Sequence, residues 1–122
     1  MTTTTAYGLT YIDEGMAGAI ARYNEHLEIL AALSRKILVD MGYDDSASVS
    51  PSDGDCFFVD GSGANDWASF TNELVIYLGG TWFNFALTDD DVWFVQANAG
   101  VSVDAQRKYD SSGGTGAKFV AL

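Results

Sequence analysis

The stretch Pro51–Gly100 reads P-S-D-G-D-C-F-F-V-D-G-S-G-A-N-D-W-A-S-F-T-N-E-L-V-I-Y-L-G-G-T-W-F-N-F-A-L-T-D-D-D-V-W-F-V-Q-A-N-A-G. Short apolar and aromatic runs alternate in it with Gly/Asp/Asn clusters, which is how strands and tight turns alternate in a small β unit. Strands are expected at Cys56–Asp60, Glu73–Leu78, Thr81–Leu87 and Val92–Ala97, with a further short one at Val101–Val103. Gly79-Gly80 predicts a two-residue hairpin, because both central positions can take positive φ at low cost. In the third run Trp82, Asn84 and Ala86 fall on one face and Phe83, Phe85 and Leu87 on the other. Neither face is plainly polar, so both are expected to be covered.

Upstream, a helix is expected over residues 13–42. Asp13 and Glu14 suit its positive N-terminal end, Arg35 and Lys36 suit the other end, and Gly42 is a plausible stop. Met16, Ile20, Tyr23, Leu27, Leu30, Ser34 and Ile37 repeat with a 4-3 spacing, an a/d seam broken once by serine. Ile29, Leu33 and Leu38 widen the stripe. A stripe that wide can serve two surfaces, one part packing on the chain's own β region and the other on the same helix of a second or third subunit; the other open reading is an ordinary amphipathic helix lying on its own sheet. Residues 1–12, with Tyr7, Leu9 and Tyr11 alternating, form an arm that is either unstructured or an extended strand on a partner. Residues 43–50 read as an acidic, serine-rich exposed linker. Residues 51–103 are the antiparallel β domain. Residues 104–122 are a tail whose apolar tip, Phe119–Leu122, is expected to dock.

The composition bounds the rest. With 122 residues the chain has the size of one domain, and 48% hydrophobic and 13% aromatic residues mark a folded protein. The mean hydropathy of +0.04 is high for that size and points to apolar surface buried by a neighbour. The net charge of −11 argues against nucleic acid and anionic membranes as partners. No apolar run approaches the roughly 20 residues that span a bilayer, and Met1–Ala6 lacks the features of a secretory signal, so folding in a cytoplasm is expected.

Catalytic chemistry finds little to work with. Cys56 sits in an apolar run far from His26, the single histidine, and reads as a core residue. Asp89-Asp90-Asp91 reads as a solvated turn and Asp53-Gly54-Asp55 as a turn launching a strand, neither with the ligand set of a calcium loop. Gly61–Asp66 lacks the lysine and the positive charge of a phosphate loop. No metal, cofactor or enzymatic activity is expected. Trp67, Trp82 and Trp93 have two readings: core residues, or an exposed platform stacking on sugar rings.

Taken together, Asn24-Glu25 with Leu27, Leu30 and Leu33, then Pro51-x-x-Gly54-Asp55-x-Phe57-x-Val59, Gly63-x-x-x-Trp67, Gly80-x-Trp82-x-x-Phe85 and Trp93-Phe94-Val95, resemble a phage-associated domain of tail-fibre and fibre-like virion proteins. The linker departs from that pattern in lacking prolines. The resemblance implies a non-enzymatic virion component, a small fibre, spike or decoration module that assembles in the host cytoplasm. It also implies contacts with other virion proteins and a trimeric state. The expected fold class is α+β, an N-terminal amphipathic helix, trimeric coiled coil included, followed by a small antiparallel sheet unit. Met16, Ile20, Tyr23, Leu27, Leu30 and Ile37 would oligomerise it, and Trp67, Trp82 and Trp93 would meet a host glycan if the platform reading holds.

Overall fold

A computed structural model describes residues 19–122, with side chains described from Tyr23 onward. The expected arm, the helix start at Asp13 and the seam position Met16 lie outside the described residues; Ile20 lies in the described helix, without its side chain. The architecture is α+β: one helix, α1 (Ala19–Arg35), followed by strands β1 (Ile37–Leu38), β2 (Cys56–Phe58), β3 (Leu74–Leu78), β4 (Thr81–Phe85), β5 (Val92–Asn98), β6 (Val101–Tyr109) and β7 (Phe119–Ala121). Single 3-10 turns sit at Ser46–Ser48 and Asn65–Trp67.

The helix stops at Arg35, short of the expected end at residue 42. Its stop is Lys36, which adopts φ 54 and returns its N–H to the Leu33 carbonyl at 3.3 Å. A left-handed residue there ends a helix, usually as glycine. Lys36 offsets part of its strain by placing its ammonium 4.8 Å from the centre of the Trp93 ring. Ile37 is therefore a strand residue, half-buried in β1, and not a helical seam position.

Residues 37–41 hold the molecule together. Ile37 and Leu38 pair in parallel with Phe94 and Val95 of β5. The Val39 N–H then donates to the Cys56 carbonyl at 2.8 Å, and the Phe58 N–H donates to the Asp40 carbonyl at 3.1 Å. The Met41 N–H turns back to the Ala97 carbonyl at 3.0 Å. The segment is thus hydrogen-bonded on both sides. It joins the sheet β1-β5-β6-β7 to the sheet β2-β3-β4, so the strands follow one another in the order β7-β6-β5-β1-β2-β3-β4. The bridge that sets this segment beside β2, Asp40 to Phe57, is parallel as well; β2–β3, β3–β4, β5–β6 and β6–β7 are antiparallel.

The buried Asp40 carboxylate locks this junction. Oδ1 accepts from the N–H of Gly42 (2.7 Å) and Ala99 (2.8 Å), and Oδ2 accepts from Gly100 (2.8 Å). Ala99 and Gly100 form the β5–β6 turn, with φ of 50 and 81. Gly42 is not a helix stop. A Cβ there would lie 2.1 Å from Asn98 Oδ1 and 2.4 Å from the Ala99 nitrogen, so only glycine lets the two backbones approach this closely.

The turns expected from local chemistry are present. Gly79 and Gly80 have φ of 55 and 85, and the Gly79 N–H is held by Asp53 Oδ1 at 2.9 Å. The β region extends past its expected end at residue 103. β6 runs to Tyr109, and the apolar tip docks as β7 on the outer edge of β6. The expected linker is zipped to the loop beyond β2: Asp45 Oδ1 accepts from Ala47 N–H at 2.9 Å and from Asn65 Nδ2 at 2.7 Å. Ser46 Oγ accepts from Asp66 N–H at 3.0 Å.

The sheet β2-β3-β4 is covered on both faces by its own chain. Cys56, Phe58, Leu74, Ile76 and Phe85 face the larger core, which takes Ile29, Ala32 and Leu33 from α1, Trp93 and Val95 from β5, and Tyr109 and Phe119 from the far edge. Phe57, Val59 and Val75 face a smaller core closed by Trp67, with Val39, Tyr43, Val49, Phe70 and Trp82 around it. For β4 the expectation that both faces are covered holds on the side of Phe83 and Phe85; on the other side only Trp82 is half-buried, while Asn84 and Ala86 are exposed, and what cover that face has comes from residues 39–70.

Candidate assembly surface and adjoining cleft

The two faces of α1 meet different fates. Ile29 (2% exposed), Ala32 and Leu33 (5%) are buried in the larger core. Tyr23 (48%), Leu27 (46%) and Leu30 (48%) form an apolar stripe turned to solvent. Their spacing of four and three residues keeps them on one side of the helix. Ser34 continues the stripe and bonds its own helix, Oγ to the Ala31 carbonyl at 2.9 Å. Asn24 and Ala31 flank the stripe and carry no charge, so no like-charge repulsion opposes a second helix there. Of the expected oligomerising residues, Tyr23, Leu27 and Leu30 come together on this surface, and Ile37 does not.

The magnitude of this surface matters. Completing the burial of three half-exposed side chains contributes about 2–4 kcal/mol per copy, taking about half the value for a fully buried side chain. Association costs on the order of 4–15 kcal/mol in lost freedom. These three residues alone make a weak contact. A stable bundle requires the seam to continue through Ile20 and Met16, as the sequence spacing does.

A cleft of about 540 Å³ adjoins the helix. Asn24, Glu25 and Glu28 of the helix line it together with Asp53, Leu78, Gly79, Thr81 and Phe83. The lining combines three carboxylates with the apolar side chains of Leu78 and Phe83. No other helix residue carries the cleft toward the solvent-facing stripe, which lies around the helix axis from Glu25 and Glu28.

The tryptophans do not form a common exposed platform. Trp67 and Trp93 are fully buried, which corrects the sugar-stacking reading for both. Their ring N–H groups have no hydrogen-bond partner among the described residues. Trp82 is half-buried. Its ring is held edge-on by Trp67 (centroids 5.2 Å apart, 83° between planes), Phe57 (5.8 Å) and Tyr77 (4.9 Å). For Trp67 and Trp82 the physical reason is the second core: a three-stranded sheet with apolar residues on both faces needs large side chains to close its outer side; Trp93 is taken up by the larger core.

The groups weighed as chemical candidates have local structural work. The Cys56 thiol is buried, and desolvation pushes its pKa up to about 12, so it is a thiol rather than a nucleophilic thiolate. Asp89 accepts from Ser111 N–H (2.7 Å) and Oγ (3.0 Å), Asp91 accepts from Thr88 N–H (3.1 Å), and Asp90 lies 3.8 Å from Lys108. The three acids thus point to separate partners. Among the described residues no cluster of three or more His, Cys, Asp or Glu is placed to hold a metal ion. No described helix is long and apolar enough to cross a membrane.

Sequence reasoning missed Asp40, the acid that ties the junction strand to the β5–β6 turn. Its only signal was a lone carboxylate between Val39 and Met41 in an otherwise apolar run. It also left the cleft unread, because Asn24, Glu25 and Glu28 meet Asp53 and Phe83 only through tertiary packing. No family model, no curated protein and no solved structure matches this chain.

Proposed function

We propose that this chain is a structural module of a phage virion, a small fibre, spike or decoration protein, which assembles through the outer stripe of α1 and performs no catalysis. The observation that carries this reading is the helix with two apolar faces. One is buried on the chain's own sheet; the other, Tyr23, Leu27 and Leu30, is left in water at half exposure. In a protein whose sheet is otherwise covered by its own segments, an aligned stripe of this kind is the surface that gains most from a partner. The 4-3 spacing fits a parallel bundle of identical helices, and three copies is the state the fibre resemblance suggests. The β unit would then face outward from the particle.

Sedimentation and light scattering of the purified chain test the assembly. The unmodified chain sediments as an oligomer at micromolar concentration, and Leu27→Glu with Leu30→Glu converts it to a folded monomer. An unmodified chain that stays monomeric at tens of micromolar by the same measurement removes the reading. The particle context is tested by probing purified phage particles with an antibody to the chain; a chain found only in the unassembled fraction removes that part.

A further inference from the structure

The cleft between α1 and the β3–β4 hairpin sets negative charge beside accessible carbon. Its volume, about 540 Å³, suits a small ligand or a short piece of peptide and far exceeds a single ion. Leu78 and Phe83 contribute half-buried apolar side chains that also pack against the larger core. Glu25 and Glu28 are exposed, and Asp53 uses one oxygen to hold the Gly79 N–H at 2.9 Å. The one ion pair among the described residues is Lys108 with Asp90, so none of the three carboxylates has a described cation as partner. Arg35 donates to the Gly54 carbonyl at 3.0 Å and is not part of the lining. Such a lining repels an anion, and an uncharged apolar ligand would cover the carboxylates without pairing them.

We propose that the cleft receives a lysine or arginine side chain carried on a segment of a partner protein. These two side chains join an apolar stem to a cationic head. The stem would lie along Leu78 and Phe83, and the head would meet Glu25, Glu28 and Asp53. Asn24 and Thr81 favour a peptide over a free amine. They line the same cleft, and their amide and hydroxyl groups both donate and accept, as pairing with a peptide backbone requires. The net charge of −11 complements a basic partner and speeds its encounter. Exposed carboxylates alone contribute little; the apolar part of the lining is what separates this cleft from the rest of an acidic surface. Tyr23, Leu27 and Leu30 are not in the lining, so a chain that proves monomeric leaves this inference standing.

Titration of the full-length chain with the peptide acetyl-Ala-Lys-Ala-amide, followed by amide NMR shifts, tests it. The same peptide with norleucine in place of lysine, and magnesium chloride, serve as comparisons. The lysine peptide shifts the Leu78, Gly79, Thr81 and Phe83 amides saturably. The norleucine peptide keeps the stem without the charge and binds about fivefold more weakly or worse. Glu25→Gln with Glu28→Gln weakens the lysine peptide by a similar factor. Asp44→Asn with Asp66→Asn removes the same charge from exposed positions outside the cleft and leaves binding within about twofold. The absence of a saturable shift overturns the proposal, as does equal binding of the two peptides in the unmodified chain, which needs no variant. Equal losses in the two double variants, or the same amides shifted by magnesium ions, overturn it too, because the cleft would then gather cations only as the whole surface does.

Discussion

The inner and outer faces of α1 are built from the same kinds of residue and do different things. Ile29, Ala32 and Leu33 complete a core to which β2, β3, β4, β5, β6 and β7 all contribute. Tyr23, Leu27 and Leu30 complete nothing within the described chain. Hydrophobic patterning therefore states that a face wants burial; only the tertiary structure states whether the chain can supply it. The helix is wider in its apolar stripe than its own sheet requires.

Substitution on the two faces separates these roles. Leu33→Ala on the inner face is expected to cost about 2–5 kcal/mol, read as a lowered urea midpoint with unchanged slope. Leu27→Ala on the outer face is expected to change the same midpoint, measured on the monomer, by less than about 0.5 kcal/mol. A loss at Leu27 as large as at Leu33 would mean that the outer stripe is covered within one chain. Asp40→Ala, at the junction beneath the inner face, comes close behind the first. It leaves the backbone N–H groups of Gly42, Ala99 and Gly100 without their acceptor at a part-buried site, and a loss of about 1–3 kcal/mol is expected. A value near zero would mean that the carboxylate does not hold the β5–β6 turn.

The smallest effect concerns the zipped segment at Asp45. Hydrogen bonds from the Asn65 side chain and the Ala47 backbone lower its pKa below the ordinary 3.8. A lowered folded-state pKa contributes stability that is present above the unfolded value and is lost as pH falls through the folded one. The chain should therefore lose stability on acidification below 3.8 by a slightly larger margin than Asp45→Asn does. Identical acid titrations of the urea midpoint in the two proteins would show that this pair adds nothing.

What could be read from the sequence was local. Gly79-Gly80 announced its hairpin because turn chemistry resides in adjacent residues. The strands around it followed from β-branched and aromatic runs, and Cys56 was correctly placed in the core by its apolar neighbours. The end of the helix could not be read the same way. Ile37-Leu38-Val39 suits a helix or a strand equally, and the stop is a lysine in a conformation usually given to glycine. What decides the matter is Phe94 and Cys56, which receive the segment from far along the chain. The tryptophans failed as a platform for a related reason: Trp67 and Trp82 belong to the smaller core closed by residues 39–70, and Trp93 to the larger core beneath α1, a partition no period in the sequence encodes. The outer stripe was visible as a 4-3 repeat, and Ile29 and Leu33 were already set apart from it; which of the two sets the chain's own core would bury was not legible.

The junction at residues 37–41 also dictates an order of events when the polypeptide folds. The hairpins β3–β4 and β5–β6 close within a few residues, whereas the segment that unites them must find partners on both sides at once, one of them more than 50 positions downstream. Contacts of such long range form slowly, because loop-closure entropy is lost before they are rewarded. Until the segment arrives, β2 and β5 each present a bare flank to the solution. Newly made chains are then most vulnerable to pairing with one another, and rapid insertion of this single stretch guards against that fate.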